Sequence, residues 1–246
     1  MQGSSQRGGT RGPAVPRAIA IDTGLAEGSV AAVEGERTAV VRFSPAQAHA
    51  RRIGAALEEA TGALGWTVAD AGIVAVVRGP GSFTGLRVGI SLAKGIAWAA
   101  RVPLVGVSAH VAVADALGTR GSPVHVGFDA GRGDVAAALV VPAPEWPGGW
   151  EIASEVLVSA ADWIASLPRG ATVSGPALDE ASITGLLAGR GDLAVAPPSL
   201  RRPCAVRVAR LGTALAAAGR TDDPAALVPD YARPSYVQEN PPRPSR

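Results

Sequence analysis

Two Asp-x-Gly turns hold the side chains of this 246-residue chain that are best suited to chemistry. Asp22 and Thr23 end one short apolar run, and Asp129 and Gly131 end another. Paired carboxylates at strand ends can position a Mg²⁺–phosphate complex, so these residues form a candidate nucleotide site. Asp-x-Gly is also common turn chemistry, since Asp accepts hydrogen bonds from nearby backbone N–H groups. The sequence favours the turn and leaves the nucleotide site as an alternative.

A glycine-rich segment follows the apolar run at residues 73–77. It begins with the corner Gly79-Pro80-Gly81 and continues as a predicted helix to Ala100. Its small residues recur at every fourth position: Gly81, Gly85, Gly89, Ala93 and Ala97. Glycine costs about 1 kcal/mol relative to alanine inside a helix, so the stripe indicates close approach of another backbone. The spacing matches neither the P-loop nor G-x-G-x-x-G, which leaves an anion at the helix start as the weaker alternative.

No pattern for metal or nucleophilic catalysis is present. The histidines His49, His110 and His125 lack zinc-type spacing, Cys204 is the single cysteine, and G-x-S-x-G does not occur. We therefore predict no catalytic residue and no metal ligand. The cluster Arg201 to Arg210 could contact phosphate or an acidic partner, although a solvated helix flank is the simpler interpretation.

Composition restricts the compartment and the partners. The net charge of +2 comes from the two ends of the chain, and residues 18–231 are net acidic. This argues against direct nucleic-acid binding as the sole activity. There is no uninterrupted apolar run of membrane-spanning length, and residues 1–17 lack the apolar core of a signal peptide. With one cysteine, the chain fits a reducing cytoplasm.

The predicted elements form a repeated α/β unit. A strand, an Asp-x-Gly turn and a second strand occur near residue 22 and again near residue 129, which suggests two related lobes. The first predicted helix spans 46–64, after Ser44-Pro45-x-Gln47 as a capping box, and the glycine-striped helix spans 82–100. The predicted divisions are a disordered leader (1–17), an N-terminal lobe (18–118), a C-terminal lobe (119–205), a helix and return segment (206–231), and a disordered tail (232–246).

The segment from Gly79 to Gly89 resembles the signature of the TsaB family, the tRNA threonylcarbamoyladenosine biosynthesis subunit formerly called YeaZ. The resemblance covers about residues 18–234. Weaker matches lie in order along the chain at Ile21–Thr23, His49, Gly106–Ser108, Asp129–Val135, Ser174–Pro176 and Pro229–Arg233. The chain departs from the family where Gly24 replaces a frequent serine and Ala136 replaces the usual tyrosine.

The resemblance implies an actin-like, Hsp70-like (ASKHA) α/β fold with two related lobes and mixed sheets. It also implies a non-catalytic subunit that pairs through N-lobe helices with a TsaD-type subunit, which carries the metal-binding histidines and modifies adenosine 37 of tRNA. A TsaE-type ATPase would join the complex, and tRNA would be met indirectly. The chain alone would form homodimers. No resident cofactor is implied, and ATP with Mg²⁺ would act only at the level of the complex.

On this interpretation the glycine stripe and neighbouring aliphatic residues meet the partner's helices. The predicted interface consists of Ile53, Leu57, Gly85, Leu86, Gly89, Ile90 and Ala93. Enlarging Gly85 or Gly89 would then weaken pairing without unfolding the chain. If the stripe instead faces the chain's own sheet, the same changes would cause misfolding. The main alternative is an ATP-binding phosphotransferase or ATPase that uses Asp22 and Asp129. A metalloprotease-type activity is a further alternative, and the missing metal ligands argue against it.

Overall fold

The computed structural model describes residues 16–43, 49–118 and 121–233. The described ranges leave out residues 44–48, which contain the predicted capping box, and the side chains of residues 49–51. They also leave out nearly all of the predicted leader and most of the predicted tail. Arg17, which the sequence assigned to the leader, is the first residue of a strand. No helix in the described ranges combines the length and the apolar character that crossing a membrane requires.

The N-terminal lobe is built on a five-stranded mixed sheet. Its strands are β1 Arg17–Asp22, β2 Gly28–Glu34, β3 Arg37–Phe43, β4 Ile73–Gly79 and β5 Leu104–Ser108. They lie in the order β3-β2-β1-β4-β5. The strand β2 pairs antiparallel with both β1 and β3, whereas β4 pairs in parallel with β1 and with β5. The lobe's helices are α1 His49–Ala63, α2 Phe83–Ala100 and α3 Ala109–Ala116.

The C-terminal lobe repeats this plan with a second five-stranded sheet. Its strands are β6 Val124–Asp129, β7 Asp134–Pro142, β8 Trp150–Ser159, β9 Thr172–Ser174 and β10 Ala194–Val195. They lie in the order β10-β9-β6-β7-β8. Its helices are α4 Ala160–Ser166, α5 Ala181–Leu187 and α6 Ala205–Ala217. The seven-residue α5 and the two-residue β10 were not predicted from the sequence.

The helices form layers on both sides of each sheet. One core packs α1 and α2 against a face of the first sheet, with Ile53 and Ile90 buried against strand residues such as Ile21. A second core places α3 and α6 between the two sheets. A third packs α4 and α5 on the outer face of the second sheet. The structure therefore confirms the predicted α/β fold of two related lobes.

The glycine stripe of α2 faces the chain's own first sheet. A Cβ atom added to Gly85 would overlap the carbonyl oxygen of Thr23, and one added to Gly89 would overlap the Thr23 hydroxyl. The close approach predicted from the stripe is present, but the approaching backbone is the turn after β1.

The predicted set of partner contacts is corrected accordingly. The seven residues of that set are all buried within this chain: Ile53, Leu57, Gly85, Leu86, Gly89, Ile90 and Ala93. They hold α1 and α2 onto the sheet, so enlarging Gly85 or Gly89 would disturb folding and not a partner surface.

Candidate functional site

The first Asp-x-Gly turn is closed by its own carboxylate. Asp22 ends β1 and is only 2% exposed, and its Oδ1 accepts a hydrogen bond of 3.1 Å from the backbone N–H of Gly24. Burial raises the pKa of Asp22 to about 7, and the hydrogen bond from Gly24 lowers it in part. Near neutral pH the carboxyl group is therefore only partly ionised and is withdrawn from the surface.

The start of α2 binds the remaining groups of this turn. The Thr23 hydroxyl donates to the Gly85 carbonyl at 2.7 Å, and the Ser82 backbone N–H donates to the Gly24 carbonyl at 2.7 Å. The Ser82 hydroxyl caps the helix by accepting from the N–H of Gly85 at 3.4 Å. The donors that could have held an anion at this helix start are thus partly used by the chain itself, as the close-packing interpretation predicted.

The second Asp-x-Gly turn is exposed at its carboxylate but covered at its carbonyl oxygens. Asp129 Oδ1 accepts from the N–H of Gly131 at 2.9 Å. Arg233 donates to the carbonyl oxygens of Ala130, at 2.9 Å, and Gly131, at 3.2 Å, and pairs with the carboxylate of Asp134. An arginine from the C-terminal end of the described chain therefore occupies this turn.

A cleft of about 1010 Å³ lies between the two turns. Its charged lining residues are Glu27, Asp129, Asp179, Glu180, Arg202 and Arg233. Arg202 pairs with Asp179 at 2.9 Å, and Arg233 pairs with Asp134, so both lining cations are engaged. Asp22 does not line the cleft. The two aspartates are not presented on one surface, and the residues as arranged do not fit a Mg²⁺–phosphate complex held by Asp22 and Asp129.

The two histidine side chains that the structure describes belong to different elements, α3 and β6. His110 is buried, with Nδ1 at 3.1 Å from a carboxylate oxygen of Glu155 and Nε2 at 3.1 Å from the carbonyl of Ala136. His125 lies in β6, where burial lowers its pKa. Within the described ranges, no three His, Cys, Asp or Glu side chains gather in a group that could hold a metal ion.

The arginines from 201 to 210 each have an acidic partner in the chain. Arg201 and Arg202 both pair with Asp179 at 2.9 Å. Arg207 pairs with the buried Asp115 at 3.3 Å, and Arg210 lies 3.4 Å from an exposed glutamate, Glu36. Much of the positive charge of this cluster is therefore balanced locally.

The outward face of α1 and α2 carries mostly small side chains. Beyond the first turn of α2, the exposed residues of these two helices are Arg52, Gly54, Ala55, Glu58, Glu59, Gly62, Ala63, Arg87, Ser91, Gly95, Trp98 and Ala99. A Cβ atom on Gly54, Gly62 or Gly95 would meet no other atom within 4 Å, and Trp98 is 80% exposed. We call this set the outer helical face. The interface predicted from the sequence did not include this face, although Ser91, Gly95 and Ala99 form a second row of small residues on α2, at a spacing of four.

The C-terminal strap, residues 227–233, was also missed as a functional element. Its Tyr231 ring stacks on Phe83 with centroids 4.8 Å apart, and Arg87 Nε donates to the Tyr231 hydroxyl at 2.7 Å. Asp230 pairs with Arg78 of β4 at 2.9 Å. The only signal in the sequence was the weak family match at Pro229–Arg233, which gave no role to these residues.

Comparisons with known proteins identify the relatives of this chain. A family model described as TsaD, tRNA N6-adenosine threonylcarbamoyltransferase, matches residues 41–165. Over 178 residues the chain is 32% identical to the tRNA threonylcarbamoyladenosine biosynthesis protein TsaB of Bacillus subtilis (strain 168). This alignment covers 67% of this chain and 70% of that protein. The chain belongs to the TsaB family.

Other members of the TsaB family agree with this assignment. The chain is 34% identical over 122 residues to TsaB of Escherichia coli (strain K12), an alignment that spans 48% of this chain and about half, 52%, of that relative. The solved structure of YeaZ from Pseudomonas aeruginosa superposes with a TM-score of 0.72 at 22% identity, covering 88% of this chain and 99% of that one. The resemblance to the TsaB family is confirmed, and the YeaZ structure shares the two-lobed α/β fold predicted from the sequence.

Proposed function

We propose that this chain is a non-catalytic subunit of the complex that makes N6-threonylcarbamoyladenosine in tRNA, and that a TsaD-type subunit supplies the catalysis. One observation carries the proposal: both Asp-x-Gly turns are bound by the chain's own groups, through Gly24 and Ser82 at the first and Arg233 at the second. A site arranged in this way has no free carboxylate pair for phosphate chemistry. The TsaB relatives are named as tRNA threonylcarbamoyladenosine biosynthesis proteins, which supports the choice of pathway.

The outer helical face is the surface that we propose for pairing with the TsaD-type subunit. Small residues at Gly54, Gly62 and Gly95 leave open space in which a partner's helix can pack closely. Trp98 adds a large exposed aromatic side chain, the residue type that most often dominates binding energy at interfaces. The same face would form a homodimer when the partner is absent.

The rest of the proposed assembly follows the family. A TsaE-type ATPase would bind the paired subunits, and tRNA would be contacted through the complex, since the arginine cluster is balanced by carboxylates such as Asp179 and Asp115. The complex would work in the cytoplasm. We propose no resident cofactor for this chain, with ATP and Mg²⁺ acting at the level of the assembly.

Reconstitution tests the function directly. Purified TsaD-type and TsaE-type subunits, threonylcarbamoyl donor and unmodified tRNA are combined with and without this chain, and modified nucleoside is measured by mass spectrometry. We expect modification to depend on the chain. Equal modification in its absence would overturn the scaffold role.

A pair of glycine substitutions tests the surface. Gly95→Leu on α2 should weaken binding to the TsaD-type subunit about tenfold or more, because a leucine side chain fills the space that the partner's helix needs. Gly185→Leu is the matched control: Gly185 is also an exposed helical glycine with open space around it, but it lies on α5 of the other lobe. Calorimetric titration gives both affinities. The surface is wrongly assigned if the two variants bind alike.

A further inference from the structure

We propose that the C-terminal strap mechanically couples the second Asp-x-Gly turn to the start of α2, so that releasing either end loosens the other. The strap runs from Leu227 in the N-terminal lobe to Arg233 at the turn of the C-terminal lobe. This inference rests on contacts within the chain and does not depend on the proposed function.

The first end of the strap is fixed in the N-terminal lobe. Leu227 is 6% exposed and belongs to the core under α1 and α2. The backbone N–H of Asp230 donates to the carbonyl of Arg78 at 2.7 Å, as an added strand would. Gly79 is required beside it, because a Cβ atom there would overlap the carbonyl oxygen of Asp230. The strap therefore lies directly on the backbone at the end of β4.

The middle of the strap holds the first turn of α2. Tyr231 stacks on Phe83, and the Arg87 guanidinium lies 3.9 Å from the centre of the Phe83 ring while donating to the Tyr231 hydroxyl. The three side chains form one cluster in which an aromatic pair, a cation and a hydroxyl are mutually satisfied. Phe83 is nevertheless 44% exposed, so this cluster supplies much of the fixation of its ring.

The far end of the strap holds the second turn. The Arg233 guanidinium contacts two carbonyl oxygens, those of Ala130 and Gly131, and the carboxylate of Asp134. The turn contains three successive residues with positive φ, Gly131 at 71°, Arg132 at 60° and Gly133 at 82°. Left-handed backbone at a non-glycine residue is costly, so this turn needs external support. The single residue Ala232 separates this contact from the Tyr231 cluster.

The consequence is a tie between the two lobes at the mouth of the cleft. Both Tyr231 and Arg233 line the cleft, and each holds a different lobe. Loss of the Arg233 contacts frees Ala232 and lets Tyr231 leave Phe83. Loss of the Tyr231 contacts acts in the reverse direction. The start of α2 borders the outer helical face. A change in the Tyr231 or Arg233 contacts at the cleft would therefore alter how firmly the start of α2 is held.

Hydrogen exchange measured by mass spectrometry on the full chain tests the coupling. Arg233→Ala should speed amide exchange about tenfold at 130–134 and also at 83–87, although the hydrogen bonds of Arg233 reach only the former. Tyr231→Ala should produce the same two changes from the other end. Val228→Ala is the control, because Val228 is 64% exposed and lies in the same strap. Exchange in β4 and β6 should stay unchanged in all three variants.

Two results would overturn the proposal. In the first, each variant speeds exchange only at the segment that the altered side chain touches. In the second, exchange rises evenly across the chain, including β4 and β6, which would make the strap part of the global core. If Arg233→Ala does not fold, Arg233→Lys takes its place: it retains the charge near Asp134 but loses the fork that spans the two carbonyl oxygens, and it should show the same paired change in smaller degree.

Discussion

At the scale of single residues, Asp22 shows how the fold alters the chemistry of a side chain. The same Asp-x-Gly pattern gives a buried carboxyl at Asp22 and an exposed one at Asp129. The first is withdrawn beneath the start of α2, where desolvation favours its neutral form. Two turns of similar sequence therefore have different electrostatic properties. Their shared sequence pattern and their shared position at strand ends do not suffice to make the two carboxyl groups a functional pair.

Burial of Asp22 predicts a pH-dependent stability. The pKa rises from its ordinary 3.8 in the unfolded chain to about 7 in the folded protein, so between these values the folded state binds more protons. The free energy of unfolding should therefore fall as pH rises through this window and level off above pH 7. Replacing the ionisable group, as in Asp22→Asn, removes this dependence while an acceptor for the Gly24 N–H remains.

Between pH 5 and pH 8, the stability of Asp22→Asn should rise relative to the parent by about 2.7 kcal/mol. This is 1.36 kcal/mol per pH unit over the two units from pH 5 to the pKa near 7, above which the difference levels off. Urea unfolding at the two pH values measures it. The amide's own burial cost is the same at both pH values and cancels in this comparison. A difference that is constant with pH would show that Asp22 is not buried in its neutral form.

At the scale of elements, α2 has two rows of small residues with different tasks. The inner row, from Gly85 to Ala97, lets the helix lie on the turn after β1 and on the first sheet. The outer row, Ser91, Gly95 and Ala99, leaves the opposite face open. A glycine in this helix is therefore either required by close packing or destabilising by its conformational freedom, depending on the face on which it lies.

Two alanine substitutions separate these tasks. Gly85→Ala should lower the free energy of unfolding by more than about 3 kcal/mol, because its Cβ atom would displace the Thr23 backbone and break the bond from the Thr23 hydroxyl to the Gly85 carbonyl. Gly95→Ala should raise it by about 1 kcal/mol, since the added methyl group meets open space and lowers the entropy of the unfolded chain. Denaturant unfolding of both variants is the measurement, and equal effects would contradict the assignment of the two faces.

At the scale of the whole molecule, the two lobes share the layer that contains α3 and α6. Asp115 of α3 lies in this layer at 3% exposure. Its Oδ1 accepts from the Trp150 indole N–H at 3.1 Å, and its Oδ2 from Arg207 of α6 at 3.3 Å. One carboxylate thus ties both internal helices to the start of β8. The strap ties the lobes a second time, at the mouth of the cleft.

Asp115→Ala should cost roughly 2–4 kcal/mol, because it leaves the buried indole N–H of Trp150 without its acceptor and opens space in the shared layer. Asp115→Asn should cost about 1 kcal/mol, since it retains that acceptor and loses the charge facing Arg207, whose side chain is 37% exposed to water. The midpoints of urea unfolding give the order. If Asn proves as costly as Ala, the ion pair with Arg207 is the larger contribution.

The amino-acid pattern alone was sufficient for the fold class, the family and many of the elements. Apolar runs and turn residues located both strand–turn–strand units, the apolar run that forms β4, and the helices α1 and α2, because local period and turn chemistry depend on adjacent residues. The signature from Gly79 to Gly89 identified the TsaB family. The short α5 was not predicted, because seven residues form too few helical turns to show a periodic apolar pattern.

Which surfaces these elements present follows from how they pack in three dimensions. The spacing of Gly85, Gly89 and Ala93 fixes that they share one face of a helix, but it cannot say whether the backbone that approaches them belongs to this chain or to a partner. The approaching backbone is Thr23, 62 positions away, and Tyr231 meets Arg87 across 144 positions. Such contacts depend on how sheets and helices stack, which local sequence does not encode. For that reason the glycine stripe was predicted correctly as a packing device and assigned to the wrong neighbour.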